Sequence, residues 1–272
     1  MDKKTIMIAL GGNSLSPKGS SGTVGEQFSF TRRTMDHLSE FIIKDYNICI
    51  THGNGPQVGH LMALDSSQPM DDWVAATQGI IGHSLSINLD SILRRRNRPE
   101  KTSVILTRVK VDPDDLGFKF PTKPVGPILS DEQVMTEDWD IAETINGPRR
   151  VVASPSPKEI LDLDIIESLI EKNAIVICCG GGGIPVISKD GHFVGVPAVI
   201  DNDRLSALLA IQMNVDALII STAIDSVRTG FGSEDEQKHQ KMTIEQAKTH
   251  LANGEFPDGS MGPKVTSAIE AV

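Results

Sequence analysis

The stretch KTIMIALGGN, residues 4–13, joins a short apolar run to a glycine-rich turn, and this combination decides the fold class. An apolar run without polar alternation predicts a strand buried on both faces, as in a parallel sheet covered by helices. The combination recurs in NICITHGNGP, residues 47–56, and in AIVICCGGGG, residues 174–183. Strands of this kind, alternating with longer helical segments, predict an α/β protein.

The segments between these strands have the period of amphipathic helices. Residues 79–96 place an apolar stripe on one face, and residues 26–44 do the same over a shorter stretch. The other predicted elements are strands over 103–109 and 217–221, a helix over 157–173, a hairpin turning at 189–191, and helices that begin at Asp201 and Thr243.

Residues 110–150 break the alternation of strands and helices. They are rich in Pro, Asp and Gly and have no sustained period. The stretch is long for a connection inside a compact domain. It therefore predicts a small subdomain, a lid or another functional excursion.

The composition excludes several classes of protein. The chain has 272 residues and a formal net charge of −10, with 39% hydrophobic and 23% charged residues. These values are typical of a folded globular protein, and the acidic balance argues against nucleic-acid binding. No apolar run reaches the ~18–20 residues of a membrane span, and the opening run is too short for a signal peptide. Three cysteines without zinc-ligand spacing indicate reduced thiols in the cytoplasm.

Three predicted strands end in glycine-rich turns, at residues 11–13, 53–55 and 180–183. In an open α/β sheet the ligand lies at the carboxyl ends of the strands, where these turns fall. Glycine lets backbone N–H groups converge on an anion, so the three turns together predict an anion or phosphate site. The sequence contains neither a GxxxxGK[ST] loop nor a GxGxxG fingerprint with its downstream acid.

Two lysines have rigid neighbours that suit a phosphate site. Lys123 lies in PTKP, residues 121–124, and Lys264 lies in GSMGPK, residues 259–264. Phosphoryl transfer depends on fixed cations that neutralise charge, although any single lysine can also be a solvated surface residue. Rigid surroundings make both lysines candidates for a catalytic role.

The acidic pair Asp201 and Asp203 has two interpretations. It can cap a helix and complement its dipole, or it can hold Mg²⁺ or orient neighbouring lysines. Spacing alone does not choose between them. His52, His60 and His83 fit no catalytic triad, and we expect structural or surface roles for them.

Further motifs occur in order along almost the whole chain: ALGGN (9–13), THGNGPQVG (51–59), PTKPVGP (121–127), RRVV (149–152) with SP (154–155), CGGGGIPV (179–186), VID (199–201), TAIDSV (222–227) and GSMGPK (259–264). With these motifs the chain resembles the carbamate kinases of the amino-acid-kinase superfamily. THGNGPQVG and GSMGPK are much narrower signatures than a generic glycine loop.

The resemblance implies one domain over residues 1–272, a three-layer αβα sandwich with an open, mainly parallel sheet, from which residues 110–150 protrude as a lid. It implies reversible phosphoryl transfer from ATP to carbamate, giving ADP and carbamoyl phosphate. Mg²⁺ would take part without a direct ligand from the chain. The resemblance also implies a cytoplasmic homodimer in arginine metabolism whose partners are small molecules, with no nucleic acid and no membrane.

Roles can be carried over residue by residue. The carbamate or phosphate would be cradled by Gly11, Gly12, Asn13, Gly53 and Asn54. Lys123 would reach in from the lid, Asp203 would organise the cations, and Lys264 would neutralise the phosphate. The nucleotide pocket would be formed by Thr222, Ala223, Asp225, Val227 and Gly262.

Two features depart from the family pattern. Asn202 stands where the family has a lysine, between two aspartates, and we count it among the catalytic candidates. An amide supplies no positive charge, and losing one preorganised donor costs about 10²–10³ in rate. Arg204 is the nearest cation in sequence.

The chain also stops at Val272, inside the predicted last helix, so we expect a naturally short or truncated chain.

Asn202 leaves three functions open. The leading hypothesis is a carbamate-kinase-like phosphotransferase. The second is the same fold acting on another small acid, and the third is a paralogue that binds nucleotide with low or no turnover.

Overall fold

A computed structural model of the chain describes residues 3–15, 24–144, 147–222, 224–256 and 261–272. The strands are β1 Thr5–Leu10, β2 Asn47–His52, β3 Lys101–Val104, β4 Arg108–Val111, β5 Lys123–Pro124, β6 Ile141–Thr144, β7 Gly147–Val152, β8 Pro157–Ile160, β9 Ala174–Ile177, β10 Ile184–Lys189, β11 His192–Gly195, β12 Ala217–Ile220, β13 Val227–Thr229 and β14 Gln237–His239. The helices are α1 Gly12–Leu15, α2 Val24–Ile43, α3 Gly55–Leu64, α4 Met70–Arg95, α5 Leu116–Lys119, α6 Asp131–Thr136, α7 Leu163–Glu171, α8 Asn202–Gln212, α9 Ile244–Ala252 and α10 Met261–Glu270.

A five-stranded parallel sheet in the order β12-β1-β2-β9-β3 forms the centre of the molecule. The three strands that precede the glycine-rich turns, β1, β2 and β9, are direct neighbours in it. Because parallel strands end at the same edge, turns that are far apart in sequence are brought side by side.

Different helices cover the two faces of this sheet and create three layers. On β1, Ile6 and Ile8 pack with side chains of α2 and α4, whereas Met7 packs with side chains of α7 and α8. The same alternation occurs on β2 and β9. Successive strand residues point to opposite faces, so each strand must be apolar throughout to fill both cores. The predicted three-layer αβα sandwich with a mainly parallel sheet is confirmed.

A second sheet, in the order β11-β10-β4-β8, lies beside the first. Its β10–β11 hairpin turns at Asp190 and Gly191, whose φ angles are +50° and +79°. Two successive positive φ angles match the twist of a two-residue hairpin, which confirms the predicted turn. The predicted start of α9 is also confirmed, because Thr243 and Gln246 form a capping box.

Residues 110–150 form α5, α6 and much of a small antiparallel sheet in the order β5-β7-β6. This sheet rests on the start of α3, where the Gly126 N–H donates to the Gly55 carbonyl oxygen at 3.2 Å. A Cβ added to Gly59 would collide with the Gly126 backbone, so only glycine permits this approach. The segment that carries Lys123 is thereby held beside the turn after β2.

Three predicted boundaries are wrong. Residues 103–109 are not one strand, because β3 ends at Val104 and β4 begins at Arg108 in the second sheet. Residues 157–173 are not one helix, because residues 157–160 pair with β4 as a strand. Helix α4 begins at Met70 rather than at residue 79, because its buried face already includes Val74, Thr77 and Gln78, where the polar pair interrupts the apolar stripe. Within the described ranges, no helix is long and apolar enough to cross a membrane.

Candidate active site

The turns that follow β1 and β2 touch each other at the sheet edge. The Gly53 N–H donates to the Leu10 carbonyl oxygen at 2.8 Å, and a Cβ added to Gly53 would lie 2.9 Å from the Gly12 nitrogen. The Asn54 side chain occupies the space that a Cβ on Gly181 would need. Close approach of three glycine-rich turns therefore brings Gly11, Gly12, Gly53 and Asn54 together. Asn13 lies in α1, and its side chain is outside the described part of the structure.

Both candidate lysines meet the first residues of α8. Lys123 Nζ lies 2.6 Å from Asp201 Oδ2, and Lys264 Nζ lies 3.0 Å and 3.1 Å from the two oxygens of Asp203. A Cβ added to Gly11 would lie 3.8 Å from Lys264 Nζ, so this ammonium is next to the turn after β1. The structure therefore brings Lys123, Asp203 and Lys264 into one cluster at the glycine-rich edge.

Burial and charge act differently on the two aspartates of this cluster. Burial alone would raise the pKa of Asp201, but the Lys123 charge and hydrogen bond, with the Arg204 and Asp203 N–H groups, bring it below its ordinary value. Burial raises the pKa of Asp203, and the Lys264 charge offsets this only in part. Two ammonium groups and two ionised carboxylates cancel in charge, so an incoming anion must compete with the carboxylates for the lysines.

Asn202 lies between the two aspartates and is 8% exposed. Its amide nitrogen and oxygen have no hydrogen-bond partner in the part of the chain that the structure describes. Leaving a buried amide without partners costs about 1–3 kcal/mol, which marks this side chain as open to an additional partner. Arg204 is exposed on α8 and forms no ion pair with a described residue.

The candidate nucleotide residues follow β12, the neighbour of β1. Thr222 lies directly after this strand, and Ala223 is outside the described residues. Asp225 is exposed and pairs with Arg228 and Lys238, whose hydrogen bonds hold its pKa well below the ordinary value. Val227 packs in a cluster with apolar side chains of α10, the helix that carries Gly262 and Lys264. Of these candidates, Val227 therefore lies against the helix that carries Gly262 and Lys264.

His52 is buried at the end of β2, whereas His60 and His83 are exposed. Its Nδ1 lies 3.2 Å from the Gly53 carbonyl oxygen, and its ring occupies the space that a Cβ on Gly180 would need. Burial lowers the pKa of His52 to about 4, so the imidazole is neutral at pH 7. His52 is therefore a neutral packing residue beneath the glycine-rich turns.

The cysteines are free and buried. Cys178 and Cys179 follow β9 rather than lying inside it, and Cys178 Sγ lies 3.5 Å from Cys49 Sγ. Hydrogen bonds with the neighbouring thiols and burial raise the pKa of Cys178, which keeps it protonated. Among the described residues, no three His, Cys, Asp or Glu side chains form a group that could hold a metal ion.

Sequence reasoning missed Thr77 and Gln78, two buried polar residues of α4. Their side chains contact the turns after β2 and β9 through hydrogen bonds to Asn54 and Gly180. The sequence did contain a signal for them: two adjacent polar residues fall on the otherwise apolar, buried face of the helix. Buried polar side chains need hydrogen-bond partners, so such a pair predicts specific contacts.

Glycine-rich turns and two lysines that converge at one edge of a parallel sheet are an arrangement suited to binding a small phosphorylated anion. The chain belongs to the amino acid kinase family, which it matches over residues 4–272. It is therefore a phosphotransferase.

Proteins with similar sequences and folds include several carbamate kinases. The chain is 39% identical to the carbamate kinase of Pyrococcus furiosus and 38% identical to carbamate kinase 2 of Staphylococcus aureus, with 99% of this chain and 90% of each relative covered. Its fold superposes on the carbamate kinase of Giardia lamblia bound to citric acid with a TM-score of 0.93 at 33% identity, covering 99% of this chain and 89% of the other. The Giardia lamblia enzyme bound to AMP-PNP aligns with a TM-score of 0.87 at 33% identity, with the same coverage of both chains.

Proposed function

We propose that the protein is a carbamate kinase, which transfers a phosphoryl group reversibly between carbamoyl phosphate and ADP. One observation carries the proposal: Lys123 and Lys264, from distant segments, are held by Asp201 and Asp203 beside three glycine-rich turns. The identity of 38–40% to carbamate kinases over nearly the whole chain supports the same substrate.

The proposed chemistry needs positioned charge more than proton transfer. In the direction of ATP formation, a β-phosphate oxygen of ADP attacks the phosphorus of carbamoyl phosphate, and the bond to the carbamate oxygen breaks. Carbamate leaves as an anion, so the step requires no general acid. Lys264 would neutralise the transferring phosphoryl group, while Lys123 would approach from the predicted lid of residues 110–150.

The glycine-rich turns would cradle the substrate through backbone N–H groups. Gly11, Gly12 and Gly53 are the proposed sources of these donors, with Asn13 and Asn54 beside them. On binding, the anion would take over part of the interaction that each lysine makes with its aspartate. Asp203 would keep Lys264 in place during this exchange, and the unpartnered amide of Asn202 would donate to the anion.

We propose a nucleotide pocket formed by Thr222, Ala223, Asp225, Val227 and Gly262. The Giardia lamblia relative bound to AMP-PNP supports a nucleotide site in this fold. Mg²⁺ would supply charge neutralisation on the nucleotide phosphates. Because Asp201 and Asp203 are already paired with lysines, the residues fit a cation carried by the nucleotide rather than one caged by protein ligands. Calorimetry of ADP binding with and without Mg²⁺ tests this point.

The decisive experiment measures ATP formation from carbamoyl phosphate and MgADP in a coupled assay. Lys264→Ala should lower kcat about 10²–10³-fold, since a preorganised cation is removed from the transferring phosphoryl group. Lys110→Ala is the matched control, because Lys110 pairs with Glu159 on the second sheet and both side chains are exposed. Absence of turnover by the unaltered protein would refute the proposal.

Asn202 favours a second candidate function. The protein would either phosphorylate another small acid by the same chemistry, or bind nucleotide with slow turnover. A neutral amide occupies the place between two aspartates where the family pattern has a cation. A panel of small carboxylic and carbamic acids, each tested with MgATP, separates the candidates. Turnover with a different acid, or nucleotide binding without any turnover, would favour the second function.

We also propose a cytoplasmic homodimer. Three free buried cysteines suit a reducing compartment. Strand β3 is an edge of the central sheet, and its Val104 side chain is exposed as an apolar contact for a second copy. Light scattering of the purified protein measures the oligomeric state directly.

A further inference from the structure

The loop of residues 180–183 has a backbone that it would not adopt by itself. The φ angles are +55° at Cys179, +64° at Gly181, +84° at Gly182 and +87° at Gly183. Glycine tolerates such angles, but it loses more conformational entropy than any other residue when one of them is selected. The shape of the loop must therefore come from contacts with the rest of the molecule.

Gln78 of α4 contacts the first residue of this loop directly and the residue after the loop through Thr107, and it is 1% exposed. Its Nε2 donates to the Gly180 carbonyl oxygen at 2.8 Å and to the Thr107 carbonyl oxygen at 3.2 Å, while its Oε1 accepts from the Thr107 N–H at 2.8 Å. Thr107 then accepts from the Cys179 N–H at its hydroxyl, at 2.9 Å, and from the Ile184 N–H at its carbonyl, at 2.8 Å. One amide therefore fixes the loop directly and through Thr107.

The preceding residue, Thr77, holds the turn after β2. Its hydroxyl accepts from Asn54 Nδ2 at 2.8 Å and donates to the Val74 carbonyl oxygen at 2.7 Å. The Asn54 side chain packs against Gly181 so closely that no Cβ could be added there. Adjacent residues of one helix thus set the distance between the two turns.

The loop also contacts the start of α8. A Cβ added to Gly182 would collide with the Ile200 carbonyl group, and Ile200 directly precedes Asp201, the partner of Lys123. A displacement of the loop would therefore be transmitted to the carboxylate that holds Lys123. At Gly182 the contact with Ile200 is too close for even one added methyl group, so movement of the loop would press directly on that residue.

We infer that Gln78 is a positioning residue: its amide holds the 180–183 loop so that the Asn54 turn and the Asp201–Lys123 pair keep their relative placement. This inference rests on the proposed phosphotransfer at that site. Gln78 touches no reacting group, so its effect must pass through Gly180 and Thr107. Phosphoryl transfer is sensitive to such placement, because a misplacement of about 1 Å can cost about 10²-fold in rate.

The test compares Gln78→Met with Asn88→Leu. Each change replaces a buried amide of α4 by an apolar side chain of similar volume. Among the described residues, Asn88 donates to the Ser84 carbonyl oxygen one turn back, at 2.8 Å, and it lies about 15 Å along the helix from Gln78. Gln78→Met should lower kcat for ATP formation about 30- to 100-fold and leave ADP affinity within about threefold, whereas Asn88→Leu should keep kcat near the original value.

Hydrogen exchange provides a readout that is independent of activity. The Gly182 and Gly183 N–H groups are bonded inside the loop, to Cys179 and Gly180. Their exchange should become about tenfold faster in Gln78→Met and stay unchanged in Asn88→Leu. If Gln78→Met does not fold, Gln78→Asn, which withdraws the amide by one methylene, should give the same direction of change in both measurements.

Two results would overturn the inference: kcat and loop exchange in the Gln78 variants equal to those of the unaltered protein, or equal losses in Asn88→Leu. If the unaltered protein forms no ATP from carbamoyl phosphate, the proposed function fails, and the exchange rates still decide whether Gln78 holds the loop.

Discussion

The Lys123 ammonium lies 2.6 Å from the Asp201 carboxylate, although 78 residues separate the two in sequence. Asp201 is also the N-cap of α8, since its other oxygen accepts from the Asp203 N–H at 3.0 Å and the Arg204 N–H at 3.2 Å. One carboxylate therefore begins a helix and places a cation at the candidate site. The two interpretations of the acidic pair, cap and lysine partner, both hold for this residue.

These two roles of Asp201 can be separated by Asp201→Asn. Asparagine caps helices as well as aspartate does, but it has no charge to hold Lys123. We expect kcat for ATP formation to fall about 10- to 100-fold. The free energy of unfolding should fall by only about 1 kcal/mol, because the lysine pair is partly exposed.

Asp115→Asn is the control for that change, because Asp115 caps α5 and is not paired with a lysine at the site. Chemical denaturation and steady-state kinetics measure both effects. An unchanged kcat in Asp201→Asn would show that the charge of Asp201 is not what holds Lys123 at the site.

The 180–183 loop should not accept a side chain at Gly182. In Gly182→Ala the new methyl group would collide with the Ile200 carbonyl group, and φ is +84°. We expect the free energy of unfolding to fall by about 3 kcal/mol or more, together with kcat. In Gly254→Ala the residue also has a positive φ, +71°, but no atom of the described residues lies within 4 Å of the new Cβ.

Gly254→Ala should therefore cost only about 1 kcal/mol and leave kcat unchanged. Urea denaturation of the two variants compares the costs. If Gly182→Ala and Gly254→Ala lower the free energy of unfolding equally, the collision with Ile200 does not contribute to the cost.

His52 should make the protein less stable in acid. The folded-state pKa is lowered to about 4 from an ordinary value of 6.5, because burial disfavours the imidazolium. The contribution of His52 to the free energy of unfolding is fully present above pH 6.5 and is lost as the pH falls towards 4. In this range the unfolded chain binds a proton at His52, whereas the folded chain does not. Between pH 7.5 and 5 this single group should remove about 2 kcal/mol from the free energy of unfolding.

The measurement is urea denaturation at the two pH values. His52→Gln should show a smaller loss on acidification than the unaltered protein, and His60→Gln should show the same loss, since His60 is exposed. An identical pH dependence in His52→Gln would contradict a neutral buried imidazole.

Asn202→Lys should raise turnover if the missing charge limits it. The new ammonium would lie between two carboxylates and add a cation to a cluster whose charges now cancel. We expect kcat to rise at least about tenfold, because one preorganised charge-stabilising group is gained. Asn202→Met, which adds length without charge, is the control.

No gain in Asn202→Lys, with nucleotide affinity intact, would favour the binding protein of low turnover. A gain confined to an acid other than carbamate would favour the related kinase activity. Initial rates with each acceptor separate these results.

Much of the fold could be predicted because it depends on local patterns. Apolar runs such as residues 4–10 specify buried strands by their period, and the Asp-Gly pair at 190–191 specifies a hairpin by its φ angles. Prediction failed where a distant segment decides local conformation. Residues 157–160 precede a helical pattern, yet they form a strand because Ile160 pairs opposite Val109 of the second sheet.

By itself, the sequence determined the α/β class, the position of the glycine-rich turns at strand ends, and the lysines worth testing. Only the tertiary structure decided which charges meet: Lys123 with Asp201 and Lys264 with Asp203, across 78 and 61 residues. It alone also joined Gln78 to Gly180. The physical reason is that strand and turn preferences act between neighbours in the chain, whereas ion pairs and hydrogen bonds act between neighbours in space.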